Sequence, residues 1–229
     1  MSARGCKESI FRYSLKKEFA IGTFIIILLI VMRLISREPG IISEHLSRYD
    51  VNAFDRWLMF PYNELLDRIK YVLLAAALVL PIITPLNKAL RKSKGTWPTY
   101  GVMYLQSLLF TLGVRGILKS SIYRYRPYMY FDGMAFTSDF HRSFPSGTAA
   151  LAFLPATFLS LTFSAEFPNS RWKIPVIVGS YTLAVAIGAS RIFNGTHFLT
   201  DVLVGAAIGT FFGWLIPTLH KRTNRALSL

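Results

Sequence analysis

Residues 202–219 read VLVGAAIGTFFGWLIPTL, without one charged side chain. A helix needs roughly 20 mostly apolar residues to cross about 30 Å of hydrocarbon, and this run approaches that length. Comparable runs lie at 174–189, 144–163, 100–118 and 71–85, and another at 19–34 is interrupted only by Arg33, which snorkels at its edge. The pattern predicts an all-α integral membrane protein, a bundle of six transmembrane helices forming one domain over residues 1–229. Gly205, Gly209 and Gly213 recur every four residues and line one helix face, where they permit close packing. No long repeat, low-complexity segment or soluble-domain boundary interrupts the chain.

Composition agrees, since 52% of the residues are apolar and only 17% charged. Lys and Arg number 26 against 12 Asp and Glu, a net charge of +14. In a soluble chain that excess would point to nucleic acid; in a membrane protein, topology and anionic lipid headgroups account for it. No nucleic-acid or protein partner is expected. Cys6 is the sole cysteine, which excludes an internal disulfide and a cysteine-rich metal site. Arg4, Lys7, Arg12, Lys16 and Lys17 precede the first run and no short cleavage signal follows it, so the run is expected to be a retained anchor.

Unbalanced positive charge falls in alternate connections: Lys88, Arg91, Lys92 and Lys94 in the second, Arg171 and Lys173 in the fourth, and Lys221, Arg222 and Arg225 in the tail. The positive-inside tendency places these segments and both termini in the cytoplasm. The first loop is different, because Arg33, Arg37, Arg48, Arg56, Arg68 and Lys70 are matched by Glu38, Glu44, Asp50, Asp55, Glu64 and Asp67. Its neutrality suits the outer side. Phe54, Trp57, Leu58, Leu65, Leu66 and Ile69 recur there at spacings near three and four, predicting short helices in the interface.

An up-and-down bundle brings four helix ends to that outer face. They carry Arg115 and Lys119, Ser146, Arg191, and the pair His197 and Asp201. Arg115 alone reads as a snorkelling or packing cation. Lys119, Arg126 and Arg191 together describe an anion site, since a phosphate accepts from several cations and arginine offers a bidentate fork. Pro145-Ser146-Gly147 by itself is an ordinary helix entry; beside three cations, its free N–H groups and the positive end of the helix dipole form a phosphate cradle. His197 and Asp201 stand four positions apart on one helical face, so the carboxylate can hold one imidazole nitrogen protonated and leave the other free to attack phosphorus.

These motifs resemble those of the type 2 phosphatidic acid phosphatase superfamily of membrane phosphatases. KSSIYRYRP, residues 119–127, matches its first motif through Lys119 and Arg126-Pro127; SRIFNGTHFLTD, residues 190–201, matches the third through Ser190-Arg191, His197 and Asp201. The second motif ends in histidine, where this chain has Pro145-Ser146-Gly147-Thr148. The resemblance implies that His197 is a phosphorylated nucleophile oriented by Asp201. It also implies a phosphate shell of Lys119, Arg126, Ser146, Gly147 and Arg191, and hydrolysis without a cofactor or catalytic metal.

Thr148 replaces the histidine that, in the family, protonates the leaving oxygen. Its hydroxyl is a poor acid near neutral pH, so the site is expected to favour a good leaving group, unless His141 folds inward as a substitute. The expected activity is dephosphorylation of a membrane lipid on the periplasmic or outer face of a bacterial inner membrane. Lipid A phosphate and polyprenyl diphosphate lead the candidate substrates, with phosphatidylglycerol phosphate behind them. Two other classes fit the same residues: a phosphoryl transferase using a lipid or sugar acceptor, and an impaired protein that only binds phospholipid.

Overall fold

A computed structural model describes residues 10–11, 14–35, 46–90, 97–131 and 139–221. Among them the regular secondary structure is all helical, with two isolated bridges and connecting turns and loops. The main helices are α1 (Leu15–Leu34), α2 (Ala53–Arg56), α3 (Glu64–Val79), α4 (Ile83–Leu90), α5 (Trp97–Ser121), α6 (Gly147–Glu166), α7 (Lys173–Phe193) and α8 (Leu199–His220). Pro81 lacks an N–H, and a 3-10 turn at Leu80–Ile82 links α3 to α4 there.

Five segments are long and apolar enough to cross a membrane: Glu64–Asn87 and the helices α5, α6, α7 and α8. The expected sixth, α1, exists as a helix but is not among them; Lys16, Lys17, Glu18 and Arg33 leave only residues 19–32 free of charge. The 71–85 run is a larger correction. Its helix begins at Glu64, with Asn63 capping by accepting from the Leu66 N–H at 3.1 Å. Leu65, Leu66 and Ile69 therefore belong to α3, and the predicted interfacial helices reduce to the turn Arg48–Asp50 and the four residues of α2.

The central helix is α6, whose Leu154, Phe158, Leu159 and Phe163 are fully buried. Its closest neighbour is α8, and the glycine face explains why. A Cβ at Gly205 or Gly209 would overlap the carbonyl oxygen of Ser146 or Ala150, and one at Gly213 would stand 2.7 Å from that of Leu154. Phe110 of α5 stacks on Phe212 of α8 with centroids 5.3 Å apart, extending the core toward α1. Large apolar side chains outside the core, such as Phe19, Ile26, Val178 and Leu203, lie exposed on helix flanks, the inverse of a water-soluble surface and the form a lipid-facing one takes.

At one end of the bundle lie the start of α1 and the close of α8, where Glu18 meets His220 at 2.9 Å and Gln106 at 2.6 Å. The other end gathers the start of α3, the close of α5, the start of α6, the close of α7 and the start of α8 around a cavity of about 420 Å³.

Candidate active site

The approach to this cavity is zipped by backbone pairing. Arg124 N–H donates to the His141 carbonyl at 3.1 Å, Arg126 N–H to that of Phe140 at 2.9 Å, and Ser143 N–H to that of Arg124 at 3.0 Å. This pairing carries Asp139 to the Lys119–Arg126 motif. Opposite, Gly195 turns the chain between α7 and α8 at a φ of 70°, where a Cβ would run into the carbonyls of Phe60 and Pro61. The turn delivers His197 to the cavity wall.

Lys119, Arg126, Arg191, Gly147, Arg115, Thr148 and His197 all line the one cavity, as expected. Arg126 donates from Nη2 to Asp139 Oδ2 at 2.5 Å and from Nη1 to the Thr196 carbonyl at 3.0 Å. Lys119 reaches the same Asp139 oxygen at 3.2 Å. Arg191 donates from Nη1 to Asp67 Oδ1 at 2.9 Å, an oxygen that also accepts from Lys70 at 2.7 Å. Two carboxylates therefore sit on the cations expected to hold phosphate.

His197 is buried, and burial foremost pushes its pKa down to about 3; the positive charges of Arg126 and Arg191 push the same way, while Asp201 opposes them. The ring is neutral at physiological pH, so one nitrogen keeps its lone pair. Its Nδ1 lies 3.7 Å from Asp201 Oδ2, beyond hydrogen-bond length, and has no other hydrogen-bond partner among the described residues. Asp201 is held elsewhere: Oδ1 accepts from Arg124 Nη1 at 2.5 Å, and Oδ2 from the Phe198 N–H at 2.9 Å and the Ser143 hydroxyl. The paired geometry expected from spacing is present as proximity, with the carboxylate anchored by residues outside the motif.

Besides Asp201, two expected residues stand apart from the cavity lining. Ser146 is fully buried as the N-cap of α6, accepting from the Ala149 N–H at 3.4 Å, while its own N–H donates to the Asp201 carbonyl at 2.9 Å. It shapes the cradle and joins α6 to α8. His141 stacks on Tyr123 with centroids 5.4 Å apart and edges against Phe140 at 5.0 Å. Burial first, then neighbouring Arg142, lower its pKa.

Asp67, Lys70, Asp139, Asp55 and Arg124 take part without having been singled out as site residues by the sequence reading. Asp55 is wholly buried and accepts from Arg124 Nη2 at 2.5 Å and from the Thr200 N–H at 2.9 Å. Burial raises its pKa, but these bonds and those from the Thr200 hydroxyl and Asn52 outweigh it and keep the carboxyl ionised. The same balance holds at Asp139, where burial is overcome by Arg126 and Lys119. No group of three or more His, Cys, Asp or Glu among the described residues forms a metal-binding cluster.

A model of the PAP2 superfamily matches residues 100–225, a stretch that contains all three motifs. Lipid A 1-phosphatase of Porphyromonas gingivalis is 33% identical over 140 residues, covering 60% of this chain and 28% of that protein. Phosphatidylglycerophosphatase B of Bacillus subtilis is 29% identical over 185 residues, covering 80% and 85% respectively. The chain thus spans little more than a quarter of the first relative and most of the second. Among solved structures, the transmembrane PAP2-type phosphatidylglycerolphosphate phosphatase from Bacillus subtilis superposes with a TM-score of 0.53 at 23% identity, over 90% of this chain and 96% of that one. Aquifex aeolicus LpxE gives 0.50 at 24% identity, over 75% and 98%. At these identities the structural likeness speaks to the fold alone. The family model covers more than half of the chain and includes all the residues that line the cavity except Tyr62, Asp67 and Lys70, and on that ground the chain belongs to the PAP2 superfamily.

Proposed function

We propose that this protein is a membrane lipid phosphatase that removes a terminal phosphate through a phosphohistidine on His197. The observation that carries the reading is the meeting of a neutral, buried histidine with Lys119, Arg126 and Arg191 in one cavity at the mouth of α6. In this reading the phosphate oxygens displace Asp139 and Asp67 from those cations and face the N-terminal end of α6 at Gly147 and Thr148. His197 attacks phosphorus through Nε2 while Nδ1 keeps its proton toward Asp201. As the P–N bond forms, the bond from phosphorus to the lipid-bearing oxygen breaks and its electron pair leaves on that oxygen, as the inner phosphate of a diphosphate or as an alkoxide that takes a proton from solvent; the ring gains positive charge, which the nearby carboxylate stabilises. Water then attacks the phosphohistidine, the P–N electron pair returns to Nε2, and inorganic phosphate leaves.

Lipid A phosphate and polyprenyl diphosphate are the favoured substrates, followed by phosphatidylglycerol phosphate; relatives named for lipid A and phosphatidylglycerophosphate support a lipid headgroup. The proposed setting is a bacterial inner membrane, with α1 as a sixth span, both termini cytoplasmic and the cavity on the outer side. Exposed Phe54 and Trp57 of the first loop suit contact with the outer interface. Purified full-length protein in detergent, given a panel of these lipids, is expected to release phosphate, and His197→Ala to stop it. Phosphate transfer only when a lipid or sugar acceptor is added would replace hydrolysis by transfer. Tight lipid binding with no turnover would leave the binding reading.

A further inference from the structure

The cavity holds five cations, Lys70, Arg115, Lys119, Arg126 and Arg191, against two carboxylates, Asp67 and Asp139. Four of the cations are paired: Lys70 and Arg191 with Asp67, Lys119 and Arg126 with Asp139. Arg115 has no hydrogen bond or ion pair among the described residues, and its Nε is buried without a partner. It stands one helical turn before Lys119 on α5, so both point the same way. Its guanidinium lies where a Cβ on residue 147 would be, so that Nε, Cζ and Nη2 occupy the room left by Gly147. The neighbouring residue is Thr148, where the family motif has its histidine.

Building on the phosphatase reading, we propose that Arg115 stabilises the departing phosphate of a lipid diphosphate, making this a site for phosphoanhydrides in preference to phosphate monoesters. A basic alkoxide must be protonated as it leaves, and neither threonine nor a permanently charged arginine is a suitable acid near neutrality. A departing phosphate is already a stable anion and needs only positive charge fixed in place beforehand. The guanidinium against Gly147, unpaired among the described residues, supplies that charge next to the position that lost the proton donor. In the step, Nε2 of His197 bonds to the terminal phosphorus and the bond from that phosphorus to the bridging oxygen breaks. Its electron pair stays on the oxygen, now a terminal oxygen of the lipid monophosphate, where Arg115 meets it. Water subsequently cleaves the P–N bond, its oxygen staying on phosphorus and its protons going to the phosphate or to solvent.

The test uses the full-length protein in detergent with the monophosphate and diphosphate of one polyprenol, following phosphate release. The wild type is expected to prefer the diphosphate in kcat/KM. Arg115→Gln should lower diphosphate turnover about 100-fold or more and monophosphate turnover less than about 10-fold, on the scale of losing one charge-stabilising donor. Residual monophosphate turnover then reports a folded site, and Arg115→Lys, which keeps the charge, should retain most of the preference. Parallel loss on both lipids in the Gln variant, a Lys variant no better than the Gln one, or a wild type without the preference would overturn the assignment of Arg115. Failure of the phosphatase reading looks different: the wild type would release phosphate from neither lipid, or His197→Ala would release it as well as the wild type.

Discussion

Arg124 donates to Asp201 at 2.5 Å, tying the middle of the first motif to the last residue of the third across 77 positions. Its other terminal nitrogen holds Asp55 at 2.5 Å, and its guanidinium carbon lies 4.2 Å from the centre of the Phe198 ring. One planar fork thereby fixes the carboxylate that faces His197. Arg124→Ala is expected to lower kcat by about 10- to 100-fold with little change in KM, the size of effect seen when a group that orients a reactive ligand is removed. Arg124→Lys should recover little, because an ammonium cannot bridge both acids as a planar fork does. Steady-state kinetics on the preferred lipid check this, and a change confined to KM would count against it.

Asp139 occupies Arg126 and Lys119 at 2.5 and 3.2 Å, so an incoming phosphate competes with a resident carboxylate. Asp139→Asn keeps the shape and removes the charge. Phosphate inhibition is expected to tighten by about 5- to 10-fold, the equivalent of roughly 1 kcal/mol for an exposed ion pair. Weaker inhibition in the variant would mean that Asp139 assists phosphate binding.

The pH profile has a definite sign. His197 must be neutral to attack, and its pKa falls from 6.5 to about 3, chiefly through burial. The acid limb of kcat/KM assigned to His197 should therefore lie well below the ordinary imidazole value. The unfolded chain takes up this proton before the folded one, so the contribution of His197 to stability is lost as pH falls from 6.5 toward about 3. An acid limb near 6.5 would contradict the buried, neutral ring.

Packing of α6 on α8 yields a stability prediction separate from the chemistry. Gly209→Ala puts a methyl group into the Ala150 carbonyl and should destabilise by about 1–3 kcal/mol. At Gly101 of α5 nothing lies within 4 Å of an added Cβ, so Gly101→Ala should leave the thermal midpoint in detergent equal or higher. Equal midpoints for the two variants would mean that the glycine face does not set the helix distance.

The motifs were legible in the sequence because their chemistry depends on short spacing: four positions bring His197 beside Asp201, although His197 lies in the turn before α8 and not on a face of the helix. Lys119, Arg126 and Arg191 became a group once up-and-down topology brought their segments to one end of the bundle. Asp67 was hidden, since it reads as one of several balancing acids in a neutral loop and acquires meaning only by meeting Arg191, 124 positions away. Asp55 and Arg124 were obscured for the same reason, their pairing spanning 69 positions. The α3 start was missed because Glu64, Asp67 and Lys70 break the apolar run, although acids in a first turn favour a helix. His141 was named for its nearness in sequence; in the structure it packs on Tyr123 and Phe140 and is not among the residues that line the cavity.

The central claim is that phosphate passes through His197. Full-length protein mixed with a lipid diphosphate, quenched during turnover and digested under alkaline conditions that preserve phosphohistidine, can be read by mass spectrometry of the peptide spanning residues 190–201. The account predicts phosphate on His197 that forms and decays with turnover and is absent from His197→Ala. Phosphate on another residue, or undiminished turnover in His197→Ala, would contradict it.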